Sequence, residues 1–199
     1  VAETGSFSLP GLKGTAYVVR TESDVPHIYA ENLEDLGLVE GFTMARDRYF
    51  QMDLFRRQGL GTLSEVLGQD ALENDIEAVH SGSRFTAERV LAQLDDDPEL
   101  AAFADAYAAG VNAYIEAVKA GDEQPPSEYE GAGLFLGATE PWDLMADWDR
   151  QSVASVAAML VFFSSFETTD IGRQASWDRV NGFFDGEAMA DLRNAGLVD

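Results

Sequence analysis

A mainly α-helical chain that opens on a short β-hairpin is the fold class this sequence predicts. Three observations carry it. Apolar residues recur three and four apart through most of the 199 residues, while extended β-branched runs are confined to Tyr17-Val-Val and His27-Ile-Tyr near the N-terminus. Gly, Pro and Asp stand at the ends of the periodic segments, where helices start and stop. An apolar share of 46% is enough for a sizeable core and excludes a largely disordered chain. Length and patterning fit one domain over 1–199.

Gly14 to Arg20 reads as a strand, because Thr15-Ala-Tyr-Val-Val alternates small or polar residues with apolar ones. Thr21 to Asp24 is a polar turn, and His27 to Ala30 a second short strand with Pro26 at its entry. Two strands alone make a marginal sheet, so this hairpin needs partners. Asn32 is placed to cap a helix, with Glu34 and Asp35 in its first turn. That helix is predicted from Leu33 to Arg57, with a bend near Gly41 and with Gly59 and Gly61 ending it. Ser83 to Leu94 is the next helical segment. Asp97 then caps a long helix from Pro98 to Lys119, whose stripe is Leu100, Phe103, Tyr107, Val111, Tyr114, Ile115 and Val118. Gly121 to Gly133 is a Pro, Gly and Glu-rich loop. Ser152 to Phe163 and Ile171 to Val180 are further helices. No repeat or low-complexity segment is present.

Thirty-six Asp and Glu against 13 Lys and Arg give a net charge of −23, which repels nucleic acid and anionic membranes as partners. Solubility and adaptation to a saline habitat both account for such acidity. The absence of cysteine excludes disulfides, a thiol nucleophile and Cys-based zinc sites. The uncharged stretch from Gln151 to Phe166 is shorter than the ~20 residues a bilayer requires. No secretory signal stands at Val1, and Val1 to Asp199 reads as a processed chain.

Few residues point to chemistry on their own. His27 could serve as a general base or metal ligand, but no Ser or Asp pattern around it makes a triad, and it reads as a structural histidine hydrogen-bonded inside the fold. Arg46, Asp47, Arg48, Arg56 and Arg57 crowd one predicted helix beside Tyr49, Phe50 and Phe55. They suggest an ion-pair network that holds the helix against a partner chain, or a clamp for a substrate carboxylate. Ser64 is not in a nucleophile-elbow context and reads as an N-cap. Met159 and Phe163 share a helical face at i, i+4, which alone reads as core. Glu167 and Asp170 supply hard oxygen ligands of the kind Ca²⁺ prefers, or belong to a solvated loop.

The segments Asp24-Val-Pro-His-Ile-Tyr-Ala30, Ala45-Arg-Asp-Arg-Tyr-Phe-Gln-Met52, Arg56-Arg57 and Gly61-Thr-Leu-Ser-Glu-Val-Leu-Gly68 resemble the opening of the small α chain of the penicillin acylase family. These are N-terminal nucleophile hydrolases. The resemblance implies an α subunit that completes an αββα sandwich with a separate β chain of the same precursor, in a periplasmic or secreted heterodimer made by autoproteolysis. It implies a serine nucleophile at the β-chain N-terminus, whose α-amino group is the base. Val1 has neither hydroxyl nor thiol, in keeping with that division. It further implies that Met159 and Phe163 form part of an acyl pocket and that an acidic residue just beyond binds a structural Ca²⁺. Asp170, followed by Ile171, matches that context, with Glu167 as the second candidate; the family residue is usually Glu, so Asp has a shorter reach. Phe162 stands where the family carries an Arg, which makes the pocket rim more apolar. Trp142 after Pro141 fits the family as a packing residue. The expected substrate is a linear amide with an aromatic, phenylacetyl-type acyl group on a β-lactam nucleus or similar amine. An acyl-homoserine lactone is the alternative. A non-enzymatic acidic Ca²⁺-binding protein is the rival from another class; it accounts for the charge but not for the ordered motif series.

Overall fold

In a computed structural model of the chain, which describes residues 6–129, 131, 137–165, 168–183, 190–191 and 194–195, strands β1 (Tyr17–Arg20) and β2 (Pro26–Tyr29) pair antiparallel. Tyr17 lies opposite Tyr29, Val18 opposite Ile28, Val19 opposite His27 and Arg20 opposite Pro26. The first strand is shorter than its sequence pattern. The Lys13 and Gly14 amides donate to the Asp35 carboxylate, at 2.8 and 2.9 Å, and so leave the ladder. Alternation sends Val18 and Ile28 to the core and leaves Tyr17, Val19, His27 and Tyr29 exposed. His27 is therefore a surface residue of this chain, not one buried inside it. Asp24 closes the turn in the left-handed region (φ 58°), which Asp tolerates.

Asn32 caps α1 (Leu33–Leu60) by accepting from the Asp35 amide at 2.8 Å. The break in this helix is at Arg48 (φ −149°, ψ 27°), not at Gly41. Arg20 of β1 grips the neighbouring Asp47 with two hydrogen bonds, so the hairpin is tied to α1 beside its kink. Gly41 has another use. A Cβ there would collide with the Tyr107 carbonyl, and one on Gly110 with the Leu38 carbonyl. Glycines on both helices let α1 cross α5 (Pro98–Ala120) backbone to backbone. Gly59 likewise lies inside α1, against the backbone of Ser155, and Gly61 (φ 71°) alone ends the helix.

Between α1 and α4 (Ser83–Asp95) come α2 (Ser64–Leu67), whose start the Ser64 reading implied, and α3 (Leu72–Ser81), which the sequence pattern did not signal. The N-cap position of α2 is Leu63, so Ser64 is not the cap. The capping carboxylate comes from Asp75 on α3, which accepts from the Leu63 and Ser64 amides at 2.6 and 2.9 Å. Asp97 caps α5 as expected. The second half of the predicted α5 stripe is buried, at Val111, Tyr114, Ile115 and Val118, whereas in the first half Ala101, Ala104 and Ala108 take the buried positions and Leu100 is 48% exposed. The core is α1 against α5, with Phe42, Tyr49 and Met52 facing Val111, Tyr114 and Ile115. Inside the predicted loop, Ser127 to Tyr129 are helical and Tyr129 is fully buried, edge-on to Phe50 at 5.4 Å.

After a 3-10 turn at Pro141–Leu144 comes α6 (Arg150–Ser165), then α7 (Thr168–Phe183). The chain divides into two compact units, Val1–Leu160 and Val161–Asp199. In the second, α7 exposes Gly172 to Ser176 and holds itself with local bonds such as Gln174 to Asp178. No helix among the described residues is long and apolar enough to cross a membrane.

Candidate functional site

Two polar assemblies stand out in the first unit, and the second of them fixes the start of α6. The first is built on Asp53, which is fully buried. Its Oδ1 accepts from Arg56 Nε and Nη2 at 2.8 and 2.5 Å, and its Oδ2 accepts from Arg57 Nε at 2.7 Å. The Tyr129 hydroxyl donates to the same Oδ2. Arg57 continues outward to Glu65 (2.6 Å) and to the Leu144 carbonyl (3.2 Å). The Arg56 guanidinium lies over the Trp148 ring, 5.7 Å from its centroid. Burial alone would lower the Arg57 pKa. The Asp53 charge and its hydrogen bonds outweigh that effect and hold the guanidinium above its ordinary value. Burial, reinforced by the Asp53 charge, keeps the Tyr129 phenol protonated well above the usual range.

The two buried guanidinium groups are thus engaged inside this chain. Their partners come from α1, α2 and the Leu144 carbonyl, so they form no open fork for a substrate carboxylate. The expected ion-pair network is present within this chain. Arg46 stands apart, paired with Glu123 at 3.3 Å, and Arg48 is exposed.

The second assembly fixes the start of α6. Asn112 on α5 reads the backbone of Trp148 as a strand would: its Nδ2 donates to the Trp148 carbonyl (2.8 Å) and its Oδ1 accepts the Trp148 amide (2.7 Å). Asp149 accepts from the Ser152 amide at 2.8 Å and from its hydroxyl at 2.9 Å, which caps the helix. Arg150 reaches Asp95 and Asp105 and joins α6 to α4 and α5. Along α6, Ala154, Ser155, Ala158 and Met159 are buried, and Ser155 meets α1 at Gly59.

Met159 is 6% exposed, at the end of that buried face, whereas the next residues, Leu160 and Val161, are exposed. Met159 therefore lies on the buried side of α6. Phe162 and Phe163 continue α6, but their side chains lie outside the described residues. Asp170 belongs to α7 with its side chain likewise outside, and Glu167 lies outside altogether. Among the described residues no group of three or more His, Asp or Glu is arranged to hold a metal ion.

Sequence patterns missed Asn112, Tyr129 and Asp75, because each acts through a contact distant along the chain. The Asp149 cap was legible, since Asp-x-x-Ser opens an apolar helical run. Ser152 and Ser155 direct their hydroxyls to Asp149 and to the Ser152 carbonyl, and both histidines are exposed. These groups build no serine–histidine nucleophile pair.

A family model described as Penicillin amidase matches residues 15–192. The chain is 38% identical over 140 residues to the penicillin acylase 2 proenzyme of Pseudomonas sp. (strain SE83), covering 70% of this chain and 17% of that protein. It is 36% identical over 112 residues to the acyl-homoserine lactone acylase QuiP of Pseudomonas syringae pv. tomato, covering 56% of this chain and 13% of that protein. The matched region thus spans less than a fifth of the curated relatives. Among solved structures, a chain of a thermostable penicillin G acylase from Alcaligenes faecalis superposes with a TM-score of 0.62 at 27% identity, covering 89% of this chain and 88% of that one. With the family model matching from the hairpin through α7, this chain belongs to the penicillin amidase family.

Proposed function

We propose that this chain is the small subunit of an amidohydrolase that cleaves a linear amide, and that a second, larger chain of the same precursor carries the nucleophile. The observation that carries this is a contrast of lengths. The chain matches under a fifth of a proenzyme, yet it matches almost the whole of one solved acylase chain. The exposed face of the hairpin supports it as well. Tyr17 is 64% exposed and Tyr29, directly opposite, 59%, so the sheet shows an aromatic face that a partner's strands are suited to cover.

In the assembled enzyme the Ser hydroxyl at the N-terminus of the second chain adds to the amide carbonyl and passes its proton to the neighbouring α-amino group. That proton then goes to the leaving amine, and water hydrolyses the acyl-enzyme to a carboxylic acid. The small chain's part is the acyl group: Met159, Phe162 and Phe163 are assigned to its contacts, and their apolar character suits an aromatic acyl chain. Asp170, with Glu167 as the second candidate, is assigned as one ligand of a structural Ca²⁺ completed by the second chain. No step of the reaction runs through that ion.

The test is purification of the protein expressed from its complete gene, followed by intact mass and turnover of a chromogenic phenylacetyl amide beside an acyl-homoserine lactone. A co-purifying larger chain that begins with Ser, with turnover of the phenylacetyl amide, is expected. Turnover of the lactone alone moves the substrate to the second class, for which the likeness to QuiP is the specific support. A stable, inactive single chain refutes the assignment.

A further inference from the structure

Helix α3 carries a wider apolar arc than this chain covers. Asp75 and Ala78 face inward and are buried. At about 100° per residue, Leu72, Ile76 and Val79 form a ridge beside that buried line, related as i, i+4 and i+7. All three are open, at 46%, 47% and 64% exposure. Glu73 and Glu77, both exposed, run parallel to the ridge on its outer side. Phe85 on α4 is also exposed, at 63%.

Charge decides between occupants. A second copy of this chain would bring another −23 and set its own Glu73 and Glu77 near the first pair. An apolar segment flanked by Lys or Arg meets the ridge and the acidic rim together. The curated relatives have more than four fifths of their length outside the region matched here, ample to supply such a segment.

We infer that the Leu72–Ile76–Val79 ridge is a docking surface for the second, larger chain, separate from the hairpin face, and that it receives an apolar segment with a basic flank. This rests on the two-chain assignment above.

The experiment uses the protein expressed from its complete gene. A photo-reactive benzoylphenylalanine replaces Ile76 in one variant, and Ile76→Asp with Val79→Asp are combined in another. Illumination is expected to join this chain to the larger one, as read by mass. The double variant is expected to weaken association by about a hundredfold, from the loss of two buried aliphatic contacts. Both positions are exposed, so far-UV circular dichroism of this chain should stay unchanged, and Ile76→Val should associate normally. Equal recovery of the larger chain with wild type and double variant, without a cross-link, overturns the docking surface and leaves the two-chain assignment intact. A cross-link to a second copy of this chain overturns the occupant. Wild type without any larger chain overturns both.

Discussion

Replacing Asp53 by Ala removes the acceptor for two guanidinium groups and a phenol at once. Arg56 and Arg57 have side chains only 9% and 4% exposed, and they cannot turn to water without leaving the core. Breaking a buried pair from one side costs about 3–5 kcal/mol, because the remaining charge is uncompensated. Here Glu65, 65% exposed, still reaches Arg57 and recovers part of that loss, so the lower half of the range is expected. With a urea dependence of about 2 kcal/mol per molar, the unfolding midpoint should fall by about 1.5–2 M. The assay is urea titration followed by tryptophan fluorescence, since Trp148 lies under Arg56. Tyr129→Phe removes one hydrogen bond and keeps the ion pairs, so it should cost about 1 kcal/mol. Arg46→Ala, whose partner Glu123 is on the periphery, should cost less than about 0.5 kcal/mol. A midpoint shift for Asp53→Ala no larger than that for Arg46→Ala would refute the view that this carboxylate neutralises the core.

Gly110→Ala places a Cβ on the Leu38 carbonyl, so the helices must separate; a loss of about 1–3 kcal/mol is expected from thermal unfolding. Asp35 and Asp75 are both held below the usual carboxylate range. For Asp35 the Lys13 backbone hydrogen bond leads the effect; for Asp75 the bonds from Ser64 and Leu63 outweigh burial. Their stabilisation should be complete above about pH 4 and be lost as pH falls through the lowered values, and Asp35→Asn with Asp75→Asn should flatten the acid limb of a stability profile. Because the net charge is −23, added salt from about 0.1 to 1 M should raise the urea midpoint, whereas a fall would show that screening self-repulsion is not the dominant effect. If the proposed pocket holds, Phe163→Ala in the assembled enzyme should lower kcat/KM for an aromatic acyl amide by about tenfold or more, and Met159→Ala should lower stability, since Met159 is buried.

Local signals and long-range contacts had different fates. The hairpin, the Asn32 and Asp97 caps and the Gly61 stop were legible because each depends on residues within one turn. The bend was misplaced to Gly41, since a glycine in a helix marks a flexible site or a close crossing, and only the position of Tyr107 tells which. Ser64 was taken as a cap because its own sequence context allows it, while Asp75 does the work from eleven residues away. His27 faces outward because register, not residue type, assigns its side of the sheet. For α6, periodicity located the helix and its buried line through Met159.

The Asp53 cluster also sets the order in which this chain acquires its structure. Its hydrogen bond to Tyr129 closes a loop of 76 residues, and Arg57 closes one of 87 to the Leu144 carbonyl. As the chain leaves the ribosome, α1 is complete long before either partner exists. Through that interval Arg56 and Arg57 have only Asp53 and Glu65 as partners. Only once residues near 150 have emerged are the phenol, the carbonyl and the indole all available to close over the charges. The cluster is therefore expected to close late in synthesis. A nascent chain arrested before Tyr129 should remain sensitive to protease within α1, and one arrested well after Trp148 should not.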